Sequence, residues 1–330
     1  LNSTNALRAG GALLLLLALV SSQATQAPPK RWYKGNLHTH TTNSDGDSSP
    51  ADVAAWYKDH AYHFLVLTDH NFLTDPAPLN TALAVPEKFL LIAGEEVTSS
   101  AHSKPAHVNG FGVRELVQPA KDLDMPATLQ KNVDSIRSAG GLPSVNHPSF
   151  RWAMTSADLL AVRNLNLFEV YNGHPTVHNR GGGGSESLEQ MWDVLLTAGR
   201  RIYGIAVDDA HVFKRIAKDV SNPGRGWVHV RAAKLGSAEI LGALDAGDFY
   251  SSTGVVLEDV QLTARELRLT ITAAGDTRYS TTFHGSGGKL LATVHGLSPS
   301  YAFQGNEKYV RAVVHASNGD EAWTQPAFRP

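Results

Sequence analysis

The sequence predicts an α/β fold built on a parallel sheet, followed by a smaller antiparallel β region. Three observations predict it. Between residues 35 and 211 short apolar runs alternate with helical patterns, the alternation that βαβ units produce. Most of those runs are continuously apolar, as strands buried on both faces are. After about Gly254 the pattern changes to period two, and no long helical run remains.

The apolar runs are "GNLH" (35–38), "HFLVLTDH" (63–70), "KFLLIAGEE" (88–96), "HVNGFGV" (107–113), "GLPSVNH" (141–147), "NLFEVYN" (166–172) and "RIYGIAVDD" (201–209). Seven such runs suit a closed or nearly closed barrel better than an open sheet. Helix signals lie between several of them. Ser49 followed by Pro50 opens "ADVAAWYKDH", a cap and a first-turn proline. "PATLQKNVDSIRSAGG" starts at Pro126 and stops at Gly140–Gly141. "TSADLLAVR" is capped by Thr155 or Ser156, and Ser187 with Gln190 three residues later forms a capping box before "MWDVLLTAG". "RGGGGS" (180–185) reads as a mobile loop, because the strand–helix pattern continues after it. In the last segment "RELRLTITA" places Leu267, Leu269 and Ile271 on one face, and Asn318–Gly319 is a hairpin signal between two strands.

The chain has 330 residues, 42% hydrophobic and 18% charged, which is ordinary globular composition with length enough for a core. A net charge of −2 supplies no basic field for nucleic acid, so no nucleic-acid partner is expected. Arg8, the apolar run "GGALLLLLALV" (10–20) and the small residues after it read as a cleaved export signal, with cleavage after Ala24 or Ala27. That run of 11 is too short to span a bilayer. The expected organisation is an export segment over 1–27, a main domain over 30–254 and a β domain over 255–330. The expected location is periplasmic or secreted, with no membrane span in the mature chain. There is no cysteine, so any transition-metal site must use His, Asp and Glu.

The runs end in chemistry. The first ends at His38 and His40, the second at Asp69–His70, the third at Glu95–Glu96, the fifth at His147, and the seventh leads to Asp208, Asp209 and His211. Carboxyl ends of parallel barrel strands meet on one face, where sites are built. His107 precedes its run and must enter from a loop or strand start. His38 and His40 are two apart and share a face on an extended strand, as Asp209 and His211 do. Such clusters hold divalent ions about 3.5–4 Å apart in metal hydrolases. Each set alone has a plainer reading: a surface His pair, a turn-forming Asp or Asn, a solvated "GEE" end. Their joint occurrence at successive strand ends favours the metal reading. His60, His63, His229, His284, His295 and His315 belong to no such set; His174 and His178, beside the glycine-rich loop, are candidates to touch substrate.

The motifs "HTHTTNSDG", "LTDHN", "AGEEVT", "HVNGFG", "NHPS" and "DDAH", in order from Lys34 to His211, resemble the PHP (polymerase and histidinol phosphatase) superfamily. "MWDVLLTAGRRIYGIAVDDAH", "FYSSTG" and "YVRAVVHASNGDEAWTQPAF" look like its carbaryl-hydrolase-type branch, which carries a β domain after the PHP domain. The resemblance implies a distorted (β/α)7 barrel with a small C-terminal antiparallel β-sandwich-like domain, and two or three divalent metal ions (zinc, manganese or iron). By motif, one ion would take His38, His40, Glu96 and Asp209. A second would share Glu96 and add His107 and His147. A third would take Asp45, His70 and His211. Asp45 stands where many relatives place a histidine, and its harder oxygen would change the affinity of that ion. Asp69 and Asn146 would orient ligands, and Glu169 is a further candidate. The implied activity is hydrolysis of a small-molecule phosphate ester by a metal-bridging hydroxide, with Asp69 or His211 assisting proton transfer. A carbamate or carboxylic ester is the second expectation, with Phe150 and Trp152 as candidate pocket aromatics and Lys214, Arg215 and Arg225 as candidate phosphate contacts. An exported binding protein with structural metals is the alternative of another class.

Overall fold

The computed structural model describes residue 1 and residues 29–121, 123–263 and 265–328; the expected export segment, past its first residue, lies outside them. The first two-thirds of the chain reads β1 (Arg31–Asn36), α1 (Pro50–Asp59), β2 (Phe64–Val66), α2 (Pro76–Leu83), β3 (Leu90–Ile92), β4 (Gly94–Ala101), β5 (Lys104–Phe111), α3 (Met125–Ser138), β6 (Leu142–Val145), α4 (Ser156–Ala161), β7 (Leu167–Asn172), α5 (Leu188–Thr197) and β8 (Tyr203–Val207). Then come β9 (Trp227–Ala232), α6 (Ser237–Ala246) and β10 (Phe249–Ser252). The remainder is β11 (Leu257–Leu262), β12 (Glu266–Ile271), β13 (Tyr279–His284), β14 (Leu290–His295), β15 (Ser300–Ala302), β16 (Tyr309–Ala316), β17 (Glu321–Thr324) and β18 (Ala327–Phe328).

The cap signals hold locally. Ser49 accepts from Asp52 N ahead of Pro50, Thr155 caps α4, and Ser187 and Gln190 close a capping box on α5. Asn318–Gly319 turns the chain between β16 and β17, with Gly319 in the left-handed region at φ 96°. Buried Leu267, Leu269 and Ile271 alternate along β12 as period two requires.

The arrangement of strands differs from the expected closed barrel. Among the described residues no sheet closes. One open sheet runs β14-β13-β16-β17-β10-β9-β1-β2-β3, with β18 beside β16; another runs β4-β5-β6-β7-β8. The single run "KFLLIAGEE" divides at Ala93: β3 stays parallel to β2, while β4 leaves to pair antiparallel with β5. A Cβ on Gly94 would lie 2.3 Å from Val66 Cγ1, so the crossing admits no side chain. β5–β6 is also antiparallel, so the parallel expectation holds only for β1–β2–β3 and β6–β7–β8. The two sheets meet through isolated parallel bridges, Thr39 with Ala210 and His70 with Glu96.

Helices cover these sheets with their apolar faces. α3 and α5 bury Leu129, Val133, Ile136, Trp192, Leu195 and Leu196 in one core, and α1 buries Val53, Ala54 and Tyr57 against Leu65 and Leu67 in another. The short sheet β11-β12-β15 packs over the antiparallel end of the large sheet, burying Leu257, Leu267, Leu269, Phe283, Val310 and Val314 together. No helix among the described residues is long and apolar enough to cross a membrane.

Arg311 on β16 ties the C-terminal strands to α5. Its guanidinium, 1% exposed, donates to both carboxylate oxygens of Asp193 at 2.8 and 2.6 Å and to Glu189 at 3.0 Å. Removing one partner of a buried ion pair leaves the other charge uncompensated. Arg311→Met is therefore expected to lower unfolding free energy by about 3–5 kcal/mol. Urea titration checks this, and adding Asp193→Leu is expected to restore part of the loss.

Candidate metal centre

Residues 38–40 continue extended beyond β1 because they are paired on both sides. His40 N donates to Ala210 O at 2.9 Å, Asp209 N to His38 O at 3.0 Å, and Thr68 N to Thr39 O at 3.0 Å. His38 and His40 therefore point to one side, with Nε2 atoms 3.1 Å apart. The bridge between His70 and Glu96 brings the end of β2 to β4. The loop carrying Asp45 folds back tightly: Gly46 N donates to Thr41 O, and a Cβ at Gly46 would lie 2.6 Å from His40 O. Buried Asp69 fixes this loop, accepting from Thr41 N and from the hydroxyls of Thr41, Ser44 and Thr74.

Every residue expected as a ligand falls in at least one group of donor atoms lying within 4.8 Å of one another. The groups are His38–His40–Glu96, His38–His147–Asp209, His70–Glu96–His107, and His40–Asp45–His70–His211. The sharing differs from the motif assignment: His147 groups with His38 and Asp209, and His40 joins the Asp45 set. Burial grades from floor to rim, with His38, His40 and Glu96 at 0% side-chain exposure and Asp45 at 56%. Glu95 and Asp208 turn elsewhere. Glu95 accepts from Val117 N, and Asp208 accepts from Tyr57 Oη, Arg225 N and Gly226 N.

The donors fit cations. Glu96 Oε1 accepts from Asn146 Nδ2 at 2.8 Å and faces His107 Nδ1 at 2.9 Å. Buried Oε2 faces three imidazoles, with His70 Nδ1 2.8 Å away, His40 Nε2 3.4 Å and His38 Nε2 3.5 Å. His147 Nδ1 is buried without a partner. Imidazole and carboxylate donors crowded this closely, one buried ring nitrogen among them without a partner, are what a divalent cation satisfies.

Behind the donors stand groups that orient them. Glu169 Oε1 lies 2.6 Å from His38 Nδ1, while its Oε2 accepts from His147 N and Asn172 Nδ2. Asn172 also donates to Asp209 Oδ2 at 3.0 Å. Thr98 Oγ1 lies 2.6 Å from His70 Nδ1, and Ser44 Oγ 3.3 Å from His40 Nδ1. Sequence reasoning held Glu169 only as a candidate and missed Asn172, Thr98 and Ser44; the "E" and "N" of "FEVYN" at a strand end were the available signal. Backbone strain accompanies the site: His147 and Asp209 have φ of 27° and 51°.

The cavity these groups line, about 230 Å³, also contains Phe150 and His174 in its wall. Among the described residues, no lysine or arginine lines it. Arg215 pairs with Asp219, and the Arg225 guanidinium donates to Gly173 O and Ala217 O. Trp152 stacks on His178, with ring centroids 4.2 Å apart, outside the cavity lining.

Charges in this cluster hold each other. Burial alone would lower His38, but Asp209, Glu169 and Glu96 outweigh it and raise it well above the ordinary imidazole range. His70 is desolvated as well, yet Glu96 and Asp45 raise it to about 10. His147 and His211 are raised in the same way, while burial and neighbouring His211 lower His40 to about 4. Glu96 and Asp209 would be raised by burial, but the imidazoles around them drive both well below the usual carboxylate range.

No protein-family model matches the chain, and no curated protein matches it. Among solved structures, it is similar to a two-domain protein from Bacteroides vulgatus containing a predicted PHP-like metal-dependent phosphoesterase, at 16% identity and a TM-score of 0.51, over 91% of this chain and 97% of that one. A lesion-specific endonuclease from Pyrococcus furiosus aligns at 16% identity and TM-score 0.42, over 66% of this chain and 56% of that one. An amidohydrolase from Chromobacterium violaceum aligns at 18% identity and TM-score 0.39, over 57% and 90%. At such identities the first likeness establishes the fold: this chain is a mixed α/β protein with a PHP-like fold, carrying a histidine- and carboxylate-rich cluster able to bind metal.

Two outcomes follow for purified protein. In its metal-free form at pH 7, His38, raised well above the ordinary imidazole range, and His70, raised to about 10, hold protons that a cation must displace. Zinc binding is thus expected to release protons and to tighten as pH rises from 6 to 8, measured by calorimetry in buffers of different ionisation enthalpy. Glu169→Gln is expected to weaken metal affinity by about 10–100-fold, measured by chelator competition, with the far-ultraviolet circular dichroism spectrum unchanged.

Proposed function

We propose that this chain is an exported metal-dependent hydrolase of small phosphate esters. The reading rests on one observation: donor groups carried by separate strands and the turns after them converge on a single solvent-reached cavity. Imidazole and carboxylate donors suit zinc, manganese or iron. Bound cations would supply an activated water and polarise the ester oxygen. The protein's own part is to hold the donors still. Glu96, common to two of the groups, separates and neutralises the positive charge of neighbouring sites. The Asp69 oxygens are engaged by Thr41, Ser44 and Thr74, so in this reading Asp69 holds the loop that carries Asp45. The small cavity and the net charge of −2 favour a small molecule over nucleic acid.

A second reading, cleavage of a carbamate or carboxylic ester, draws support from the cavity wall. Phe150 contributes an apolar surface there, and among the described residues no lysine or arginine lines the cavity to meet a phosphate dianion. The likeness of the sequence to the carbaryl-hydrolase-type branch points the same way.

The protein loaded with zinc, manganese or iron is to be assayed on p-nitrophenyl phosphate, its bis-ester and a naphthyl carbamate. Metal-dependent turnover of a phosphate ester is the expected result. Carbamate cleavage with intact phosphates selects the second reading, and no turnover with any metal defeats both.

A further inference from the structure

His174 lines the cavity but belongs to none of the donor groups. It follows β7 in a turn where its own N–H donates to Asn172 Oδ1 at 2.8 Å and its carbonyl accepts from Val177 N at 3.0 Å. The ring is half-buried, between Phe150 and His211, with centroids at 6.1 and 5.7 Å. Its Nδ1 accepts from the backbone N–H of Thr176 at 3.3 Å and lies 2.9 Å from the Thr176 hydroxyl. A backbone N–H can only donate, so Nδ1 carries no proton and the proton sits on Nε2. No partner for Nε2 exists among the described residues.

We infer that His174 is a substrate-contacting residue: a neutral imidazole, locked by Thr176 as the Nε2–H tautomer, that donates a hydrogen bond to an oxygen of the bound ester. The inference rests on the ester-hydrolase reading above. Its logic is one of elimination within the cavity. With no lysine or arginine in the wall, and Phe150 apolar, His174 is the polar side chain there that is not committed to a donor group. A cavity that must orient an ester needs at least one fixed donor aimed at its oxygens. A neutral donor serves a phosphoryl and a carbonyl oxygen alike.

Inorganic phosphate is the probe. Zinc-loaded wild type, His174→Phe and His174→Gln are compared for metal content and for phosphate affinity, and the His174 tautomer is read at pH 7 from two-bond nitrogen–proton correlations. Full metal content in all three is expected. Phosphate affinity should fall about tenfold or more in His174→Phe, the loss typical of one hydrogen bond to a charged group, and recover most of the way in His174→Gln, whose amide still donates. The spectrum should show a protonated Nε2. Unchanged phosphate affinity in His174→Phe, loss of zinc from that variant, or a protonated Nδ1 in the wild type overturns the inference while leaving the hydrolase reading standing. Wild-type protein that loads zinc yet binds no phosphate and cleaves no ester overturns both.

Discussion

Glu96 is a carboxylate with no exposed surface, and the rest of the site is arranged around that fact. An ionised group taken out of water costs several kcal/mol unless it is paired and hydrogen-bonded. Here the compensation comes from five imidazoles and an amide on separate strands: His38 and His40 after β1, His70 after β2, His147 with Asn146 after β6, and His107 from the middle of β5 rather than the loop or strand start expected of it. Each must be aimed as well as present. Glu169 and Ser44 face the second ring nitrogen of His38 and His40, and Thr98 lies beside the same His70 Nδ1 that faces Glu96. Cation binding and correct folding of these loops are therefore the same problem, solved by one network.

Local features of the sequence were legible because local physics decides them. Ser49, Thr155 and Ser187 cap helices wherever the chain places them, and the alternation of Leu267, Leu269 and Ile271 declares a half-buried strand. The donor residues were legible for a different reason: His, Asp and Glu at the ends of apolar runs are improbable together without a shared purpose. What the sequence concealed is pairing. "KFLLIAGEE" looks like one strand, and only the packing of Gly94 against Val66 divides it between two sheets. Strand counting then suggested a closed barrel, because nothing in a linear pattern distinguishes a continuous ladder from two ladders touching at isolated bridges. The orienting groups Asn172 and Thr98 were hidden too, since a polar residue at a strand end is common and only its neighbours in space reveal its use.

The C-terminal strands share the large sheet with β1, through β17, β10 and β9. Chain order therefore separates them from the cluster while hydrogen bonding does not. The Arg311–Asp193 pair adds a polar tie from the same region to α5, whose Trp192 packs against Phe168 on β7. Glu169 and Asn172 lie on that same strand.

The bridges between the two sheets have a mechanical consequence. His38, His40 and His70 hang from one sheet, while Glu96 and His107 sit within β4 and β5 of the other and His147 and Asp209 follow its β6 and β8. An ion gripped by both would act as a rivet through the join. It would pin the join beside the apolar core that both sheets already share, where Tyr33, Phe64 and Val66 pack with Phe111, Leu167 and Ile205.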